Sequence, residues 1–124
     1  MSRFKDWKQP EFDEKGMTKY GWCCPRHYNL KLGKNTDIGF GTYIDATYEV
    51  VIKENAQLGS HCSIYTHNTI TPMEGKVIIG KGAKIGSYSL ILPGVIIEEE
   101  EYIKERSTIY INKKGERIIK NVSR

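Results

Sequence analysis

Isoleucine occupies every sixth position from residue 79 to residue 109: Ile79, Ile85, Ile91, Ile97, Ile103 and Ile109. The same spacing runs earlier through Leu32, Ile38 and Ile44, and again through Ile52, Leu58, Ile64 and Ile70. Two interruptions, near Thr47–Tyr48 and within Thr71–Lys76, separate three runs of one pattern. A period of six is not the 3.6 of an α-helix, but every multiple of six is even, so strands with inward side chains accommodate it. A short strand followed by a corner, repeated, satisfies the spacing. A β-sandwich with accidental isoleucine spacing would not keep thirteen positions in step.

Two further columns follow the ladder. The residue two before each ladder position is usually small or β-branched: Thr36, Thr42, Ala56, Cys62, Val77, Ala83, Ser89, Val95, Ser107. The residue just after is Gly33, Gly39, Gly59, Gly80 or Gly86, with Asp45 in the same column. A sharp corner there requires either positive φ or a backbone approach too close for a Cβ. A fixed period of this kind marks a solenoid, and a hexapeptide period marks a parallel β-helix. Each inward aliphatic side chain stabilises such a coil by roughly 1.5–3 kcal/mol on full burial.

Solenoid ends need covers. Residues 1–29, with Trp7, Phe12, Tyr20 and Trp22, read as an N-terminal cap; 30–111 are the repeats, with a loop at 71–76; 112–124 are a tail. The final stretch reads as two strand-like pieces around an Asn112–Gly115 turn, a hairpin packing on the end or on a neighbouring subunit. Beyond Ile97 the corner column changes to Glu98, Lys104 and Tyr110, which predicts a distorted or partly unwound last coil. The acidic run Glu98–Glu101 reads as a solvated face.

Composition narrows the function classes. A chain of 124 residues is one domain, and a net charge of +4 from 19 basic and 15 acidic side chains without a basic block argues against a nucleic-acid partner. No apolar run approaches the ~18 residues of a membrane span. The opening MSRFKDWKQPEFDEK is too polar for a secretory signal, so a cytoplasmic location is expected. Cys23, Cys24 and Cys62 are an odd number and not a disulfide framework. Cys23, Cys24 and His27 offer at most three ligands without CxxC spacing, so no metal is expected and His27 reads as structural.

The interruption after Ile70 is where chemistry is expected, because loops displaced from a rigid repeat commonly carry function. "HCSIYTHNTITPMEGK" (61–76) holds two of the three histidines. With its aliphatic–Gly–four-variable repeats, the chain resembles the hexapeptide-repeat acyltransferases. "SIYTHNT", a short loop and then "VIIGKGAKIGSYSLILPGV" look like the sugar and xenobiotic O-acetyltransferases among them.

That resemblance implies an all-β, single-stranded left-handed parallel β-helix, a triangular prism of about four coils. It also implies acetyl-CoA as co-substrate, a homotrimer with grooves between neighbouring prisms, and a small-molecule acceptor, a sugar or nucleotide-sugar of surface-polysaccharide synthesis. His67 takes the general base's place, with His61, one repeat earlier, as an alternative base or a partner orienting the acceptor. Gly86 and Ser87 in "KIGSYS" would offer a backbone donor to the oxyanion, and the wall from Ser87 through Pro93 and Gly94 would hold the pantetheine arm. Asp45 roughly matches an acceptor-binding position. Relatives follow their repeats with a Gly-x-Pro-Ala-Lys-like loop over the cofactor, where this chain has "NKKGERIIKN".

Two other classes share the architecture. A metalloenzyme like the γ-class carbonic anhydrases would show a Gly-His-x4-His stretch and a further histidine upstream; here five residues separate His61 from His67, and His27 lies outside the repeats. A noncatalytic β-helix serving as an assembly or binding module is the other.

Overall fold

The computed structural model describes residues 5–121. Twelve short strands follow the ladder in groups of three. The first coil is β1 (Leu30–Leu32), β2 (Asp37–Ile38) and β3 (Tyr43–Asp45), and the second is β4 (Val50–Ile52), β5 (Gln57–Leu58) and β6 (Ser63–Tyr65). An excursion then carries β7 (His67–Asn68) and β8 (Met73–Glu74). The third coil is β9 (Val77–Ile79), β10 (Lys84–Ile85) and β11 (Leu90–Ile91), and the fourth is β12 (Ile96–Ile97), β13 (Tyr102–Ile103) and β14 (Ser107–Ile111), followed by β15 (Arg117–Asn121). Equivalent strands of successive coils stack in parallel as three faces, β1-β4-β9-β12, β2-β5-β10-β13 and β3-β6-β11-β14. The result is a three-sided parallel β-helix of four coils.

The ladder sets the register. Leu32 lies over Ile52, Ile52 over Ile79 and Ile79 over Ile97 on the first face. Ile38, Leu58, Ile85 and Ile103 stack on the second, and Ile44, Ile64, Ile91 and Ile109 on the third. All of these except half-buried Leu32 are buried and form one core. Ile70, expected as a thirteenth rung, is 90% exposed in the excursion. Its spacing from Ile64 is coincidental, because the chain has already left the prism at His67.

Of the two reasons offered for the glycine column, close approach is the one that operates. Gly33, Gly39, Gly59, Gly80 and Gly86 all have ordinary φ, but a Cβ on Gly33 would lie 2.5 Å from Glu54 N, on Gly80 2.6 Å from Glu98 C and on Gly86 2.5 Å from Glu105 N. At each of these glycines the coil stacked beyond leaves no room for a Cβ, although Lys53 in the same column carries one. Glu98 and Lys104 end these columns, where no further coil follows. Their side chains are admitted without distortion, and the fourth coil is regular rather than unwound: Ile97, Ile103 and Ile109 keep register and burial. Positive φ falls two residues later at each tight corner, on Asn35, Gly41, Asn55, His61, Gly82, Tyr88, Gly94, Glu100 and Arg106.

The small column is polar along the second corner. The Thr42 hydroxyl donates to Gly59 O (2.9 Å), the Cys62 thiol to Gly86 O (3.3 Å) and the Ser89 hydroxyl to Lys104 O (3.3 Å). Each bond ties one coil to a corner carbonyl of the next.

Both ends are covered. At the first, Cys23 pairs in parallel with Tyr43, which sets buried Cys24 and Trp22 under the third face. Phe12 meets Trp22 edge-on at 5.5 Å and lies flat on His27 at 4.3 Å, and the Trp7 indole N–H donates to Thr36 O at 2.9 Å. Tyr20, expected in this cap, is exposed. At the other end β15 pairs antiparallel with β14 around the Asn112–Gly115 turn, where the Asn112 side-chain oxygen accepts from the N–H groups of Lys114 and Glu116. The expected hairpin is thus present, although its first strand belongs to the fourth coil. Among the described residues no helix is long and apolar enough to cross a membrane.

Candidate active site

Both irregular steps of the ladder fall on the third corner, between the third face and the first. The first coil takes eight residues from Ile44 to Ile52 and places Thr47 and Tyr48 there; the second sends out the β7–β8 excursion. Because the coils stack, the two insertions lie against each other.

Asp45 braces this corner. Its Oδ1 accepts from the Thr47 hydroxyl at 2.6 Å, and its Oδ2 accepts from the Thr66 N–H at 3.2 Å. Buried Thr66 also donates its hydroxyl to Asp45 O at 3.0 Å and accepts from the Tyr48 N–H at 3.0 Å. These bonds engage the carboxylate with one hydroxyl and one backbone N–H of its own corner.

His67 opens β7 and is half-buried. It pairs across the excursion with Glu74, as Asn68 pairs with Met73. Its ring lies 6.2 Å from that of Tyr48, whose hydroxyl donates to Glu74 Oε1 at 3.0 Å. That bond to a carboxylate pushes the Tyr48 phenol up. Gly75 returns the excursion to the prism, and a Cβ there would lie 3.1 Å from Gly94 Cα. His67, buried Pro93 and exposed Gly94 therefore belong to one corner.

His61 belongs to another. It turns the second corner at φ +56, exposed, with its ring stacked on that of Tyr88 at 5.0 Å and 9°, and Phe40 edge-on at 5.9 Å. Gly86 and Ser87 are on this corner too. The Ser87 hydroxyl accepts from Ser60 N–H at 3.0 Å, and the Gly86 N–H donates to Ile103 O at 2.8 Å. The Gly86 N–H is thus engaged within the ladder. Within one chain the two histidines, read as neighbours along the sequence, stand at opposite edges of the third face.

The remaining nucleophiles are not engaged here. Burial pushes the Cys24 thiol up to about 12 and raises Cys62 as well. His27 is part of the cap's aromatic stack. Among the described residues no group of three His, Cys, Asp or Glu side chains is placed to hold a metal ion. A concavity of about 1040 Å³ lies under the N-terminal arm between Trp7, Phe12, Trp22 and Ile38, and none of the histidines lines it.

Sequence reasoning missed Glu74 and the placement of Tyr48. The signal was present in the ladder: two insertions one coil apart must stack, so their side chains meet.

Three parallel faces, in-register aliphatic stacks and αL corners define the chain as a left-handed parallel β-helix of the hexapeptide type. Among solved structures it is similar to a maltose O-acetyltransferase from Clostridium difficile 630, with a TM-score of 0.55 and 20% identity. The match covers 83% of this chain and 65% of that one, so the chain spans about two thirds of that enzyme's length. At this identity the likeness establishes the fold. No protein-family model matches the sequence, and no curated protein matches it.

Proposed function

We propose that the protein is an acetyltransferase that moves the acetyl group of acetyl-CoA directly to a hydroxyl or amine, with His67 as general base. The acceptor class is a sugar or nucleotide-sugar. The observation that carries this reading is the placement of His67: it opens the one excursion that leaves the prism among the described residues, and that excursion returns through Gly75 against Pro93 and Gly94. That the similar solved structure is an O-acetyltransferase supports the same class.

The chemistry follows from the residue type. An imidazole accepts a proton near neutral pH, so His67 takes the proton of the acceptor nucleophile as it attacks the thioester carbonyl, then returns it to the departing thiolate. A base so placed contributes about 10²–10⁴-fold. Gly94, exposed and at φ +84, leaves the wall where the excursion returns open to an extended thioester arm.

The active form in this reading is a homotrimer. His67, Pro93 and Gly94 occupy one edge of the third face, and His61, Ser87 and Tyr88 the other. Threefold packing that sets the third corner of one prism against the second corner of the next makes one composite groove per interface. Tyr43 and Tyr65, paired at 5.9 Å on the face between, supply apolar surface for burial.

Two measurements test the reading together. Calorimetric titration with acetyl-CoA should give saturable heat, and thiol release against amino sugars, nucleotide-sugars and simple glycosides should identify an accepted class. A noncatalytic scaffold would give neither heat nor thiol. Stoichiometric transition metal in the purified protein would overturn the assignment in favour of a metalloenzyme.

A further inference from the structure

His67 and Glu74 are directly opposed across β7 and β8, so their side chains leave the same face of the excursion. An opposed carboxylate and imidazole normally form an ion pair, yet among the described residues none joins these two. The Glu74 carboxylate turns instead to the Tyr48 hydroxyl at 3.0 Å. Tyr48 is itself anchored from below, its N–H donating to Thr66 Oγ1 at 3.0 Å, and Thr66 is the residue before His67. Tyr48 thus meets the residue preceding His67 through its backbone N–H, and through its side chain lies by the His67 ring and bonds the cross-strand partner of His67.

The other charged groups around this corner are spoken for. Asp45 accepts from Thr47 and Thr66. Glu49 pairs with Lys31 at 2.8 Å and with Lys76 at 3.5 Å. Pro93 and Gly94, on the coil beneath, carry no charge. Glu74 is therefore the acid free to change its partner when Tyr48 changes.

We propose that Tyr48 is a positioning residue that holds the Glu74 carboxylate off the His67 imidazole and so leaves that imidazole available to act as a base. The inference rests on the reading of His67 as the base, but the arrangement it describes is testable without an acceptor. An anion moved to within about 4–6 Å of an imidazole favours the charged ring. Tyr48→Phe removes the hydroxyl and keeps the aromatic ring, which leaves Glu74 to turn to His67.

Diethylpyrocarbonate reacts with imidazole only in its neutral form, and peptide mass spectrometry resolves His27, His61 and His67 in one sample of the full chain. In Tyr48→Phe the rise of the His67 modification rate with pH should move up by about 0.5–1 pH unit. The rate then falls about three- to eightfold at pH 6 and comes close to the wild type at pH 8.5, with the His61 profile unchanged as an internal standard. Tyr48→Phe/Glu74→Gln should restore the wild-type profile. An unchanged His67 profile in Tyr48→Phe would overturn the proposal, as would faster modification at every pH or a double variant that fails to restore it. Should His67→Ala retain transferase activity while these shifts appear, the base assignment falls and the Tyr48–Glu74 arrangement stands.

Discussion

Arg117 grips Glu101 with two parallel hydrogen bonds, Nη1 to Oε1 at 2.8 Å and Nη2 to Oε2 at 2.6 Å, while Nη1 also donates to Ile96 O at 3.0 Å. Glu101 stands where lower coils carry Thr36, Ala56 and Ala83, and its Oε1 accepts from the Glu98 N–H at 2.8 Å. The pair closes the far end of the prism, binding the terminal hairpin to the fourth coil. The acidic run expected as a solvated face therefore has a structural member.

Glu101→Gln should cost about 1–2 kcal/mol at pH 7, since a forked, partly buried pair is worth more than an exposed one. The Arg117 guanidinium holds the Glu101 carboxyl below its ordinary range. Its contribution is therefore fully present above about pH 4.3, the ordinary glutamate value, and is lost as pH falls through the depressed folded value. Melting curves of wild type and Glu101→Gln should differ at pH 7 and converge in acid.

The core separates two isoleucines that share a spacing. Ile91→Ala removes a fully buried side chain and should cost about 2–5 kcal/mol. Ile70→Ala, at an exposed site, should stay within about 0.5 kcal/mol. Urea denaturation of both variants checks the ladder directly.

Much of this architecture was legible because six-residue spacing states the fold almost by itself. Leu32 through Ile109 give strand positions, faces and register, and the Asn112–Gly115 turn gives the hairpin. What escaped was what periodicity does not encode. Ile70 kept the spacing after the chain had left the prism, and Glu98 and Lys104 looked like defects because the end of a stack is invisible along one dimension. At the candidate site, the position of His67 at the start of the excursion was legible. The separation of His61 from it was not, because six residues of extended chain run from one corner to the next.

The glycine column admits a comparison between two kinds of requirement. Gly86→Ala drives a Cβ to 2.5 Å from backbone of the next coil and should cost about 1–3 kcal/mol or more. Gly115→Ala meets no atom within 4 Å and pays only for φ +83, about 1–2 kcal/mol. Equilibrium unfolding of the two should rank them in that order, and equal costs would contradict close approach as the reason for the column.

The central claim is that the imidazole delivered by the excursion, and not the one at the second corner, removes the acceptor's proton. Thiol release from acetyl-CoA with an accepted acceptor measures this in His67→Ala and His61→Ala side by side. The account predicts a loss of at least about 10²-fold for His67→Ala and a change of no more than about fivefold for His61→Ala. Near-normal turnover by His67→Ala, or the larger loss in His61→Ala, would contradict it.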